Sequence, residues 1–275
     1  VDFLTVVYDK ELDLLKTQAK SFSLYAHYKV KTFWVVVNDD SSVANKIDKE
    51  WWGQLAPLVQ IVTRDELGIP DYGTGWDSQQ LCKLVAASKS PELYCITFDA
   101  KTWLVRPMLA SELFGPTGIN VSLQPIQPAF QNGWDFLINE FNIADPKLQL
   151  GPAGVPYIFR TDYVRELFKW VSVYKKQDFI TWYTKYSMYP TLITEFLTYS
   201  AWVYKLEGHY NSFSNTQPWA PVNIGRGEEG MFLEKFAEMQ LPSTLTVSIH
   251  RDALPALSTN ESAQWMHFLK NKNLY

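Results

Sequence analysis

A chain of 275 residues, 47% hydrophobic and 20% charged, has the composition of a folded protein with a sizeable core, not of a disordered one. Its net charge of −4 offers no basic face for general nucleic-acid binding. The aromatic supply (Trp 11, Tyr 15, Phe 16) suits thick cores and equally suits sugar binding, because the apolar face of a pyranose stacks on flat rings.

The first half alternates strands with helices. Residues 3–8 (FLTVVY) read as a strand and 9–26 as a helix with Leu12, Leu15, Ala19 and Phe22 on its apolar side. Residues 32–40 (TFWVVVNDD) form a second strand with an acidic end. A short helix follows over 43–51, then a third strand over 58–62. Residues 76–88 are a helix with Asp77 or Ser78 placed to cap it, and 93–98 (LYCITF) a fourth strand. Continuous apolar strands separated by helices predict a parallel sheet covered on both faces, with ligands beyond the carboxyl ends of the strands. The second half is helix-rich and aromatic. Helices are expected over 131–143 and 160–171, and a pair over 178–208 broken near Pro190. Residues 214–230 read as a loop, followed by a helix to Met239, a strand over 245–250 and a helix over 262–271. No repeat or linker divides the chain, so one domain over 1–275 is expected, with halves 1–110 and 111–275.

The strand ends carry Tyr8-Asp9, Asn38-Asp39-Asp40 and Asp99-Ala100-Lys101, which would gather on one rim. Asp99 and Lys101, two apart on a strand, share a face and address one point in space. No P-loop and no GxGxxG follows the first strand, which argues against ATPase and dinucleotide-dehydrogenase chemistry. Cys82 and Cys95 lack a CxxC partner and read as reduced core residues. No span approaches the ~20 apolar residues of a membrane helix, and no cationic start leads into an apolar run. A soluble, cytoplasmic protein is the expectation.

The order strand-Tyr-Asp, strand-Asn-Asp-Asp, GWDSQQLCKL, and strand-Asp-x-Lys followed by RP resembles the A-type glycosyltransferases. More closely it resembles a poorly characterised bacterial and phage family of predicted glycosyltransferases. Members carry a Gln-Gln-x-x-Lys helix, an Asp-Ala-Lys strand end, a stretch like GVPYIF, a Glu-centred helix like TEFLTYSAWVY and a late strand like VSIHR. The likeness runs from Phe3 to about Arg251. It implies an α/β fold with a Rossmann-like, mostly parallel sheet of the glycosyltransferase A type, and a nucleotide-sugar donor bound by the first half. The acceptor, a carbohydrate or another hydroxyl compound, would lie against the second.

That resemblance assigns roles. Tyr8, Asn38 and Asp39 (or Asp40) lie where A-type enzymes hold the base and ribose. Gln79, Gln80 and Lys83 sit on the helix that packs below the donor site, with Gln79 and Lys83 on one face at i, i+4. In the A-type fold a second carboxylate two residues after Asp99 holds Mg or Mn on the diphosphate; Lys101 replaces it and is itself able to neutralise a diphosphate. Metal dependence is therefore expected to be weak or absent, with Asp99 and His250 as the only candidate ligands. His250 ends a strand beside Arg251, whereas His27, His209 and His267 have no comparable company. Glu195, in an aromatic helix, suits a raised pKa and the role of a base on an acceptor hydroxyl, with Asp99 as its partner in catalysis. Two other functions fit parts of the pattern. One is a catalytically inactive relative that binds a sugar or nucleotide. The other is a nucleotidyltransferase, which would want a closer carboxylate pair.

Overall fold

Apolar segments buried on both faces pair side by side as parallel strands: β1 (Asp2–Val7), β2 (Phe33–Val37), β3 (Val59–Thr63) and β4 (Tyr94–Asp99). The structure, a computed structural model, describes residues 1–26, 29–115, 118–120, 123–144, 150–152, 155–208, 213–214 and 220–275. His27, His209, Gly154 of the GVPYIF stretch and residues 215–219 of the expected loop lie outside the described residues.

The sheet order is β3-β2-β1-β4, with the strand Tyr157–Arg160 added antiparallel at the β4 edge. The fold is thus α/β with a mostly parallel sheet and a helix-rich second half, as expected. Helix α1 (Leu12–Tyr25) covers one face, where Phe22 meets Phe3, Phe33 and Phe98 edge-on at 5.4, 5.2 and 4.7 Å. Edge-to-face packing aims positive ring edges at negative ring faces, so these contacts add to simple burial. Helix α2 (Gly75–Lys89) covers the other face, and is itself overlaid by the helices Thr161–Trp170 and Glu195–Glu207. Covered on both sides, α2 buries its polar residues Gln80 and Lys83 along with its apolar ones.

A second sheet is built from β5 (Thr102–Leu104), the strand Ala220–Ile224 and the strand Thr244–Ile249, which lies between them. The chain passes from the first sheet to the second through Ala100 and Lys101, a turn between β4 and β5. Asp99 and Lys101 therefore do not share a strand face, as strand alternation would have it. They meet across a turn that changes sheets. Behind the second sheet, Trp103, Phe232, Trp265 and Phe268 form a core of their own.

Other local expectations are corrected as well. The expected helix over 43–51 is two 3₁₀ segments, Ser41–Lys46 and Lys49–Leu58, each started by an aspartate side chain, Asp40 or Asp48, accepting from a backbone N–H. Gly53, at φ 52°, interrupts the second. Helix α2 is capped by Thr74, not Asp77 or Ser78; Asp77 completes a capping box from the third helical position. The stretch expected to be a loop contains the strand Ala220–Ile224, short and alternating in burial. The break near Pro190 is confirmed between the helices Phe179–Tyr186 and Glu195–Glu207.

Candidate active site

Each strand that ends on the common rim delivers its next residues there. Val6 of β1 pairs with Asp99 of β4, and the Asn38 N–H donates to the Val7 carbonyl at 2.9 Å. On the second sheet, the His250 N–H closes the strand end on the Ile224 carbonyl at 2.8 Å. Tyr8, Asn38, Asp99 and His250 thus stand at one end of the two sheets.

At the centre is Lys83. Its ammonium donates to Asp99 Oδ1 at 2.9 Å and to Glu195 Oε1 at 3.0 Å, and it lies 5.1 Å from the centre of the Phe196 ring. Lys83 and Glu195 are buried, with side chains 3% and 5% exposed, while Asp99 keeps 21%. Gln79 donates to the same Asp99 oxygen at 3.2 Å, so the i, i+4 pair on α2 converges on one carboxylate. Lys101 Nζ lies 3.7 Å from the other oxygen, Oδ2. Gln18 fixes the turn from α1, donating to the carbonyls of Asp99 and Thr102 at 2.6 and 2.9 Å.

Glu195 owes its position to its place in the helix. Thr194 caps the helix, Glu195 is the first helical residue, and its N–H donates to Gln80 Oε1 at 3.3 Å. A carboxylate in the first turn also faces the positive end of the helix dipole.

The two carboxyls are driven apart in acidity. Burial works against the charge of Asp99, but Lys83 and then Lys101 outweigh it and hold the pKa down to about 2. Burial raises the pKa of Glu195, and Lys83 offsets this only in part. Burial likewise opposes the charge on Lys83, yet Asp99 and Glu195 keep its pKa above the ordinary lysine value. A pair of carboxyls separated in this way supplies one group that stays ionised and one that holds a proton more tightly than an ordinary glutamate.

These groups open on a cavity of about 250 Å³. Its charged side is Lys83, Asp99, Lys101 and Glu195, with the amides of Gln79 and Gln80 beside them. Ile126, Phe130, Phe196 and the exposed indole of Trp76 line the same cavity.

Tyr8 and Asp39 line a second cavity, about 410 Å³, together with Asp9, Asp40, Lys46 and Arg251. The two cavities are linked through side chains: the Tyr8 hydroxyl is 3.3 Å from Gln79 Oε1, and Gln79 in turn reaches Asp99. Asn38 faces neither cavity. It is buried, and its amide donates to the Tyr8 hydroxyl at 2.7 Å, to Ser78 Oγ at 3.0 Å and to the Gly75 carbonyl at 3.1 Å. It holds Tyr8 against the start of α2, where the Tyr8 hydroxyl also donates to the Gly75 carbonyl. Asp39 accepts from the N–H groups of Asp9 and Asp40 and ties the first two strand ends together.

His250 does not line the Lys83 cavity. Its Nδ1 accepts from the Asp252 N–H at 3.2 Å, and burial and then the Lys101 charge lower its pKa. Arg251 pairs with Glu11 at 3.2 Å. A divalent ion needs several oxygen or imidazole ligands around one point. Asp99 already accepts from one ammonium and one amide and lies close to a second ammonium, and the described residues contain no group of three His, Cys, Asp or Glu able to hold a metal. The residues as placed do not fit a divalent ion.

Nothing in the sequence marks Trp76 and Phe130 as partners. They stand 54 positions apart, and only a tryptophan in the first turn of a capped helix hints at an exposed ring.

No family model matches the sequence, and no curated protein is detectably similar. Among solved structures, the chain is similar in its course to the galactosyltransferase LgtC in complex with donor and acceptor sugar analogues, at 13% identity and a TM-score of 0.49 over 99% of this chain and 95% of that one. The bifunctional glycosyltransferase WbbM in its apo form gives 12% identity and 0.45 over 90% of this chain and 45% of that one. Mouse xyloside xylosyltransferase 1, also apo, gives 12% and 0.42 over 90% and 96%. At these values the likeness does not bear on which residues act, or on what. No described helix is long and apolar enough to cross a membrane.

Proposed function

We propose that the chain is a glycosyltransferase of the A type that moves a sugar from a nucleotide-sugar donor to an acceptor hydroxyl. The observation that carries this reading is the joining of Asp99, Lys101, Lys83 and Glu195 at the carboxyl end of the parallel sheet, on a cavity that aromatic side chains also line. Residues 1–110 take the donor nucleotide, and the acceptor lies between residues 111–275 and the start of α2, which line one cavity. Tyr8 and Asp39 border the nucleoside, and Lys101 stands where a diphosphate would meet it. The free, buried Cys82 and Cys95 support a reducing, cytoplasmic setting.

In this reading Glu195 accepts the proton of the acceptor hydroxyl while the acceptor oxygen bonds to the anomeric carbon. The bond from that carbon to the diphosphate oxygen breaks, and the nucleoside diphosphate leaves with the bonding pair. Lys101 stabilises the charge that develops on the leaving diphosphate. Fixed charges in a partly dry site act without reorganising, which is their advantage over water. Asp99 stays ionised and orients Lys83, which in turn orients Glu195. Manganese or magnesium is expected to contribute little, since ammonium groups hold the positions around Asp99.

One observation favours a second reading, an inactive sugar- or nucleotide-binding relative: Lys83 engages both carboxyls at once, the base included. Calorimetry with nucleoside diphosphates and nucleotide sugars, with and without manganese, tests both. Binding with slow donor turnover in the presence of glycosides supports the transferase. Binding with no turnover leaves the second reading, and no binding in any condition removes both.

A further inference from the structure

Most large aromatic side chains of this protein fill the core, but Trp76 does not. Among the described tryptophans it alone is exposed, at 47%. Its backbone is nonetheless firmly held: Thr74 and Asp77 cap the helix turn it belongs to, and Gln80 Nε2 donates to its carbonyl at 3.3 Å. The indole lies beside the Phe130 ring, with centroids 6.4 Å apart and planes at 21°. Both rings line the cavity of Asp99 and Glu195. An exposed indole beside a second ring, in a cavity with a polar lining, offers a ligand an aromatic face.

Accepting the donor reading above, we infer that Trp76 and Phe130 form the stacking wall for a pyranose ring of the acceptor, so that the second substrate is a glycoside. A pyranose presents C–H groups on its faces and hydroxyls around its edge. The faces fit an aromatic wall, and the edge needs neutral donors and acceptors. Gln79, Gln127 and Thr194, which line the same cavity, supply them. A third ring inserted between two others needs two carbon contacts, about 7–8 Å in all, so the sugar lies on the open face of the pair and not between them. A lipid alcohol carries a single hydroxyl and would make little use of this polar lining. A nucleobase would also stack, but Tyr8 and Asp39, the groups suited to the nucleoside, line the other cavity. The wall stands instead in the cavity of Glu195, where an acceptor hydroxyl must come.

The test is saturation-transfer NMR on the full chain, with methyl glycosides of glucose, galactose, mannose and xylose as probes and UDP and GDP as controls. Wild type is expected to pass saturation to the C–H groups of one face of at least one pyranoside. Trp76→Ala should weaken that binding about 10-fold or more and Phe130→Ala by less, while Trp76→Phe restores most of it. Nucleotide affinity should stay within about twofold in all three variants. Absence of saturation on every pyranoside, or unchanged glycoside binding in Trp76→Ala, overturns the inference. An equal loss of nucleotide binding in Trp76→Ala also overturns it and assigns the wall to the base. Glycoside binding by a wild type that binds no nucleotide leaves the wall in place and removes the donor reading alone.

Discussion

Lys83 and Glu195, 112 positions apart, form an ion pair of 3.0 Å with both side chains almost wholly out of water. A buried charge is tolerated only when its partner stays in place. Lys83→Met leaves Glu195 and Asp99 facing each other without a cation, and should destabilise the fold by about 3–5 kcal/mol at neutral pH. Adding Glu195→Gln to that variant should recover a large part of the loss. Urea unfolding of the two variants measures it; a single variant as stable as wild type would show that the pair carries no weight.

Glu195→Gln alone should keep donor affinity nearly unchanged and lower turnover about 10²-fold or more, as loss of a general base does. In wild type, the acid limb of the rate should lie above the ordinary glutamate range, because burial raises this group. A fully active variant would return Glu195 to a structural role.

Stability should depend on pH through two opposite terms. Asp99, depressed to about 2, contributes stability that is present above its unfolded pKa and lost as the pH falls from about 4 through about 2. Glu195 is raised, so its contribution is complete below its unfolded pKa and disappears as the pH rises through its folded one. Asp99→Asn should flatten the acid side of the stability curve. An unchanged acid midpoint in that variant would mean that Asp99 is not held by Lys83 and Lys101.

Lys101→Ala should weaken binding of nucleoside diphosphates, and Lys101→Asp should make binding depend more on manganese. At ~4 Å and an effective dielectric near 20, two unit charges interact by about 4 kcal/mol, so an ammonium and a divalent ion compete for this position. Titration with a chelator decides the point: loss of most wild-type binding on removing metal would sink the substitution of a metal by lysine.

Gly133 carries a different kind of prediction. A Cβ there would run into the Leu192 carbonyl oxygen, three residues before Glu195. The neighbouring Asn132 donates to the Pro190 carbonyl at 3.2 Å and keeps the two segments close. Gly133→Ala should therefore cost about 1–3 kcal/mol by overpacking. It should also shift Glu195, lowering turnover more than donor affinity. Wild-type stability and rate would show that the approach relaxes freely.

The central sheet was legible because strands buried on both faces write long apolar runs, and the rim followed from the acidic ends of those runs. The convergence of Gln79 and Lys83 was legible from their spacing on one helix. The burial of Lys83 was not. It depends on the helices Thr161–Trp170 and Glu195–Glu207, far along the chain, that cover α2, and a helix covered on both sides has no polar face to read. The strand Tyr157–Arg160 was hidden for a related reason: it is short, and its pairing partner lies in the other half of the chain. Asn38 stands at a strand end, as its place in the sequence predicts, but its amide is spent on holding Tyr8. Position showed where the side chain is; only its partners show which way it faces.

The antiparallel strand Tyr157–Arg160 lies against β4, and β5 lies against the strand Thr244–Ile249, so each half of the chain completes a sheet of the other. Such an arrangement resists modular exchange. A fragment ending near residue 110 would present two open strand edges, one on β4 and one on β5, and open edges seek other strands. Chimeras that swap everything after β5 between related chains would have to conserve two strand registers as well as the contact of Lys83 with Glu195. On the proposed reading of the Trp76 and Phe130 wall, new acceptor preferences are therefore easier to reach by changing its side chains than by shuffling halves.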